Sequence, residues 1–181
     1  MLHVINARLS CPFSITTSAH GPSNNNGAWN CTISIKQGFY FENGSFKRLQ
    51  GDPFVTHFAN VTDKVRLEPM LRNAQLAVLN PGKNPQQFID ADRAQETRQV
   101  AFSPNIVCLE IQGPGLPELS FFDLPGTITV IGEEDNPEDK GLVERIERLV
   151  TTYLKDEKSL ILLACGRFNS STQSCAWLTK G

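Results

Sequence analysis

The chain has 181 residues, which is the size of one ordinary domain. Its 17 basic and 19 acidic residues give a net charge of −2, and this balance argues against a nucleic-acid-binding protein. No apolar run approaches the roughly 20 residues that a transmembrane helix needs, and the five cysteines and three histidines lack the spacing of a zinc site. Widely spaced free thiols, without a secretory signal pattern at the start, predict a cytoplasmic protein.

The first elements of the chain are short and separated by turn-rich segments. Residues 11–30 are rich in Ser, Thr, Asn, Gly and Pro, and Ser18–Gly27 is predicted to be an exposed loop. Alternation of apolar and polar side chains then predicts a strand over Trp29–Lys36, with a second short strand at residues 39–41. Residues 43–56 are again rich in turn-forming residues.

A helix is predicted next, because apolar residues between Val65 and Val78 recur at helical spacing. Thr62 or Asp63 can cap its start, and the Asn-Pro-Gly sequence at residues 80–82 ends it. Pro69 lies inside this stretch and predicts either a kink or a later start of the helix.

The second half of the chain predicts strands joined to a longer helix. Asn105–Gln112 and Leu119–Phe122 are apolar runs separated by a Gly-Pro-rich turn, which predicts a β-hairpin. Residues 142–154 form an amphipathic helical pattern, and Ser159–Ala164 is a continuous apolar run of the kind found in buried strands. Strand, helix and strand in this order predict an α/β fold with a mixed, mainly parallel sheet and flanking helices.

The segment Asp123-Leu124-Pro125-Gly126 is the motif that carries chemistry. An aspartate ends an apolar strand, and a glycine follows three residues later in a loop that leads toward a helix. Phosphoryl-transfer proteins of the P-loop class use such an aspartate near Mg²⁺ and such a glycine N–H near the γ-phosphate. The bare tetrapeptide is more often a turn without a ligand, but its place at the end of a strand in an α/β pattern favours a phosphate site.

Several segments of the chain resemble the GTPase domain of dynamin-family large GTPases, most of all the fungal dynamin-like branch. The similarity is strongest over residues 102–126 and over the following helix and strand, residues 149–165. It extends to residues 61–80 and to Cys11-Pro12, which resembles the segment just after the first switch. The resemblance implies that residues 7–181 are part of such a P-loop-type GTPase domain and that residues 1–6 are a divergent tail.

The resemblance also implies ligands, roles and partners. Asp123 would hold Mg²⁺ through a water molecule, and Gly126 would contact the γ-phosphate of GTP, with Leu124 and Pro125 completing the nucleotide-binding motif. Complete relatives hydrolyse GTP on dimerisation of two GTPase domains and remodel membranes, and membrane contact would come only from domains outside this chain. No residue of this chain is assigned as catalytic.

Three departures from the family pattern predict a partial domain. The sequence has no G-x-x-x-x-G-K-[ST] phosphate loop, so the first strand and that loop are expected to be missing. Ala7 or Ser10 stands where the family has its Mg²⁺-binding threonine, and Thr179-Lys180 matches only half of the guanine-reading T-K-x-D motif. The chain is therefore predicted to bind GTP weakly or not at all. A non-hydrolysing interaction module and a non-functional gene-model fragment remain the alternatives.

Overall fold

The computed structural model describes residues 10–19, 28–90, 97–125, 137–155 and 160–162, with the side chains of 137–143 excluded. The chain divides into two compact units, residues 1–125 and 126–181. The predicted single domain over residues 7–181 is not tested by this division.

The described residues of the first unit form seven strands and one α-helix. The strands are β1 (Phe13–Ser18), β2 (Asn30–Gln37), β3 (Phe39–Glu42), β4 (Ser45–Arg48), β5 (Phe54–Val61), β6 (Ile106–Gln112) and β7 (Leu119–Asp123). Helix α1 (Leu67–Val78) lies between β5 and β6, with 3₁₀ turns at Lys64–Arg66 and Pro85–Phe88. The predicted α/β class is confirmed.

Five of the strands form one mixed sheet in the order β5-β2-β6-β1-β7. Among the described strands of this sheet, the β1–β6 pairing is parallel and the β5–β2, β2–β6 and β1–β7 pairings are antiparallel. The described sheet therefore has fewer parallel strand pairs than the strand–helix–strand order predicted. Residues 160–162, the described part of the predicted strand at 159–164, are exposed and form no strand.

The predicted hairpin of β6 and β7 is wrong, because β1 lies between these two strands. A tight turn joins strands about 4.8 Å apart, whereas the connection over residues 113–118 has to span twice that distance. This connection is fixed to the end of β1, where the Thr17 hydroxyl donates to the Pro117 carbonyl at 2.6 Å and the Gly113 N–H donates to the Ser18 carbonyl at 3.1 Å. β1 itself was not predicted, since its small Ser and Thr side chains resemble a loop.

The core lies on one face of the five-stranded sheet. Apolar side chains form rows across the strands, and one such row runs Ile15, Leu109, Ile33 and Ala59. The apolar side of α1 joins the same core through Met70, Leu71, Ala74, Ala77 and Val78. The opposite face carries mainly polar side chains, including Ser14, Thr16, Thr32, Ser34, Cys108 and Glu110.

Helix α1 begins at Leu67, close to Pro69, as the later of the two predicted starts requires, and it ends before the Asn-Pro-Gly sequence as predicted. Asp63 caps the 3₁₀ turn that leads into it by accepting the Val65 N–H at 2.9 Å. Pro69 is the third residue of α1, in the first turn, where a backbone N–H has no helical partner, so no kink is required. At the other end the Asn80 side chain donates to the Leu76 carbonyl at 2.9 Å.

Strands β3 and β4 form a two-stranded ribbon, residues 39–48, which we call the arm. Asn43 and Gly44 connect them with φ angles of 51° and 75°, as a tight two-residue turn requires. The rings of Phe41 and Phe46 meet edge to face across the ribbon, with centroids 5.1 Å apart. β3 was predicted, but β4 and the start of β5 lie in the region expected to be only turns.

The second unit contains helix α2 (Pro137–Leu154), which includes the helix predicted over residues 142–154. Ile146 is buried, whereas Arg145 and Arg148 are exposed, as the amphipathic pattern predicted. Among the helices of the described residues, none is long and apolar enough to cross a membrane.

Candidate functional site

Asp123 is the last residue of β7, at the carboxyl end of that strand. It pairs with Phe13 and so continues a row of apolar residues formed by Phe13, Val107 and Ile35. Partial burial against this apolar surface raises the pKa of the Asp123 carboxyl. The side chain still remains accessible to solvent. The predicted strand-end position of this aspartate is confirmed.

The residues that follow Asp123 differ in their surroundings. Leu124 is half-buried, and Pro125 is fully buried. Burial of the proline ring anchors the backbone directly after β7, so the carboxylate of Asp123 projects from a fixed backbone. Gly126, the predicted γ-phosphate contact, lies outside the described residues.

The segment Ser10-Cys11-Pro12 leads into β1 at the same end of the sheet as Asp123, because β1 and β7 run antiparallel. The Ser10 carbonyl accepts the Ser103 N–H at 2.9 Å, and the Pro12 carbonyl accepts the Val107 N–H at 3.1 Å. Both bonds tie this segment to the residues around the start of β6. Ser10, one of the two candidates for the switch position, is therefore held beside the residues that precede β6, at the end of the sheet where β7 ends, while Ala7 lies outside the described residues.

Cys11 is fully buried in the same segment, and burial raises the pKa of its thiol. A thiol nucleophile needs a lowered pKa, so Cys11 contributes packing rather than chemistry.

A buried asparagine holds this end of the sheet together. The Asn105 side-chain oxygen accepts the Gly38 and Phe39 N–H groups, each at 3.0 Å, and its amide group donates to the Phe39 carbonyl at 3.0 Å. The Asn105 N–H in turn donates to the Ser103 hydroxyl at 3.3 Å. Ser103 and Asn105 thus connect the base of the arm to the Ser10 segment.

Sequence reasoning missed the role of Asn105 and Ser103. The available signal was a Ser-Pro-Asn sequence directly before an apolar strand, since short polar side chains commonly satisfy backbone groups at strand ends.

The donor set fits a magnesium ion only as part of a larger site. Among the described residues, no group of three His, Cys, Asp or Glu side chains could hold a metal. Mg²⁺ commonly takes one or two protein carboxylates and completes its shell with water and substrate phosphates. The accessible Asp123 carboxylate would fit that pattern by accepting from a water molecule of the Mg²⁺ shell, and phosphate oxygens would be needed to complete the site.

The described residues form an α/β unit, and the D-L-P-G motif begins at the end of one of its strands. Sequence comparison finds partial similarity to GTP-binding proteins. The chain is 28% identical over 105 residues to the interferon-induced GTP-binding protein Mx2 of Homo sapiens, covering 57% of its own length and 14% of that protein. It is 29% identical to the Mx2 protein of Ovis aries over 105 residues, again 57% of its own length and 14% of that protein.

The match is longer for the interferon-induced GTP-binding protein Mx of Siniperca chuatsi, at 26% identity over 123 residues, 67% of the chain and 16% of that protein. The chain thus spans only 14–16% of the length of these relatives. No protein-family profile matches it. The Mx proteins are dynamin-family large GTPases, so the predicted similarity to GTP-binding proteins of that family is confirmed. The narrower similarity to the fungal branch stays a prediction.

Proposed function

We propose that residues 7–181 are part of a dynamin-type GTPase domain of the fungal dynamin-like kind, with residues 1–6 as a divergent tail. The observation that carries the proposal is the placement of Asp123 at the carboxyl end of β7, next to the Ser10-Cys11-Pro12 segment. In open α/β sheets, phosphate ligands bind outside the carboxyl ends of parallel strands. Strands β1 and β6 begin at this end of the sheet, because β1 is antiparallel to β7 and parallel to β6, so the support comes from the strand end of β7 alone.

The proposed roles follow from the chemistry of the motif. The Asp123 carboxylate orients a water molecule of the Mg²⁺ shell, and bound Mg²⁺ supplies positive charge against the phosphates. The buried Pro125 fixes the backbone between Asp123 and Gly126. Gly126 presents its N–H to the γ-phosphate without a side chain in the way.

The expected affinity of this chain for GTP is low. Most of the phosphate affinity of P-loop proteins comes from the phosphate-loop amides and its lysine, and the 181 residues contain no such loop. A dissociation constant of about 1 mM, equivalent to about 4 kcal/mol, is the upper limit of affinity that we expect. In the cell, we place this partial domain in the cytoplasm with GTP as ligand. Its macromolecular partner is a second GTPase domain rather than a nucleic acid, and any membrane contact belongs to other domains.

Titration of a fluorescent GTP analogue with and without Mg²⁺ tests this function. The Asp123→Ala variant is the test, and Asp90→Asn, which changes another exposed aspartate, is the matched control. We expect weak, Mg²⁺-dependent binding that Asp123→Ala abolishes and Asp90→Asn leaves unchanged. Micromolar binding would contradict the weak-binding proposal, and weak binding unaffected by Asp123→Ala would contradict the role of the motif.

The missing phosphate-loop motif favours one alternative function, a non-hydrolysing module that pairs with intact GTPase domains. The transcript sequences on either side of the segment that encodes this chain distinguish the two proposed functions. Sequences encoding G-x-x-x-x-G-K-[ST] upstream and T-K-x-D downstream support the GTPase proposal. Without them, co-sedimentation with an intact dynamin-type GTPase domain supports the module, and failure of both leaves a gene-model fragment without function.

A further inference from the structure

The tip of the arm combines an exposed asparagine with an unhindered glycine. Asn43 and Gly44 are both exposed, and a Cβ placed on Gly44 would meet no atom within 4 Å. Among the described residues, neither the Asn43 amide group nor the Gly44 N–H has a hydrogen-bond partner. The side-chain amide carbon of Asn43 and the next backbone nitrogen are therefore both accessible to solvent.

We propose that Asn43–Gly44 is a site of spontaneous covalent modification, at which asparagine converts to isoaspartate and aspartate. The Gly44 nitrogen loses its proton to hydroxide and attacks Cγ of Asn43. The bond between Cγ and Nδ2 of Asn43 breaks, and ammonia leaves with a proton from solvent. The resulting five-membered imide ring is opened by one water molecule at either carbonyl, so the reaction needs no oxidant or reductant.

The fold of the arm controls the rate of this reaction. Ring closure requires Cβ of Asn43 and the Gly44 nitrogen to lie on the same side of the Cα–C bond. A φ of 51° puts Asn43 in the left-handed region, where ψ is about +30 to +60°. That range of ψ holds these two atoms nearly opposite each other about the Cα–C bond. The paired arm thus protects a reactive sequence, and conversion proceeds through molecules whose arm tip has opened.

The contacts that keep the tip closed are local. The Phe41 and Phe46 rings pack edge to face, and Lys47 forms an ion pair with Glu42. Weakening either contact raises the population of the open tip, and with it the rate of conversion, because opening and closing are fast relative to the chemistry.

The isoaspartate product cannot restore the turn, whereas the aspartate product keeps the original backbone. Isoaspartate adds one backbone methylene to a two-residue turn and places a negative charge beside Glu42. The pairing of Phe41 with Phe46 is then lost, whereas the base of the arm stays bound to Asn105. Conversion to isoaspartate therefore opens the arm permanently and leaves the five-stranded sheet intact.

The test follows isoaspartate at Asn43 by peptide mass spectrometry in the full-length protein kept at mildly alkaline pH. Asn26–Gly27, the same dipeptide elsewhere in the sequence, serves as an internal reference when the protein is unfolded in urea. In urea we expect Asn43 and Asn26 to convert at similar rates. In the folded protein we expect Asn43 to convert more slowly than it does in urea.

Phe46→Ala is the decisive variant, and Phe54→Ala, which removes an exposed phenylalanine outside the arm, is its control. Because Phe46→Ala removes one aromatic pair, we expect isoaspartate to form at Asn43 about 2- to 10-fold faster than in the unmodified sequence. Phe54→Ala should leave this rate unchanged. Lys47→Ala, which removes the ion pair, provides a second and milder variant with a smaller increase. No conversion of Asn43 in the folded protein, or a rate that these variants leave unchanged, would overturn the proposal.

Discussion

Strands β6 and β7 are consecutive in the sequence, but β6 lies inside the described sheet and β7 lies at its edge. β6 is flanked on both sides, by β2 and β1, and its inward-facing residues Val107, Leu109 and Ile111 are buried. β7 ends the sheet order of the described strands, and all five of its residues are exposed. Both strands are apolar in sequence, so their difference comes from topology rather than from composition.

The contrast assigns the stability of the sheet to β6 and the candidate ligand to β7. Leu109 of β6 and Phe121 of β7 belong to one row across the sheet, joined through Ile15, but Leu109 is 1% exposed and Phe121 is 41% exposed. The candidate ligand Asp123 stands on the exposed strand. An edge position leaves a carboxylate accessible to a ligand, while the buried strand β6 holds the fold.

The largest effect is expected from truncation in β6. Leu109→Ala removes a fully buried side chain and leaves a cavity, so the free energy of unfolding should fall by about 2–5 kcal/mol. Phe121→Ala, in the same row of β7, should lower it by less than about 1.5 kcal/mol, because much of that ring is already in water. Urea unfolding of both variants measures the difference.

Equal losses in the two variants would contradict the edge position of β7. They would mean that Phe121 is covered in solution, for example by a strand that the described residues do not include.

A second, smaller loss of stability is expected from removing the side chain of Asn105, which is buried just before β6. Asn105→Ala leaves two N–H groups and one carbonyl at the base of the arm without partners, which should cost about 1–3 kcal/mol. Amide hydrogen exchange at Gly38 and Phe39 should accelerate at the same time. Asn60→Ala, at an exposed site in β5, is the control and should change stability by less than about 0.5 kcal/mol. Unchanged exchange at Gly38 and Phe39 would contradict the assigned hydrogen bonds.

The sequence predicted the elements whose signals are local. The period-2 alternation in β2, the Asp63 cap and the apolar stripe of α1 each depend on neighbouring residues, and the structure contains all three. The strand-end position of Asp123 followed from the polar residue that ends an apolar run. These features need no knowledge of which strands are neighbours.

The order of the strands could not be predicted in the same way. β1 contains three Ser or Thr residues in its middle, and only pairing with β6 and β7 makes that segment a strand. The hairpin prediction failed because a six-residue connection fits either a loose hairpin or a bridge over a third strand. Asn105 was missed for a related reason, since its partners at the base of the arm lie 66 and 67 residues away in the sequence.

The smallest effect concerns the charge of Asp123. Partial burial raises the pKa of this carboxyl in the folded state, so the folded protein binds a proton more readily than the unfolded state. The ionised carboxylate therefore destabilises the fold, and stability falls as pH rises from the ordinary aspartate pKa of about 3.9 through the higher folded value.

Asp123→Asn removes this penalty. We expect its melting temperature to exceed that of the wild type near neutral pH and the difference to shrink below the ordinary aspartate pKa, where both side chains are uncharged. Asp52→Asn, at an exposed loop position, controls for the change in net charge. A stabilisation that persists unchanged in acid would assign the effect to packing of the amide. A destabilisation near neutral pH would show that the carboxylate already has a stabilising partner, so its apolar setting on β7 would no longer explain why it is free for a cation.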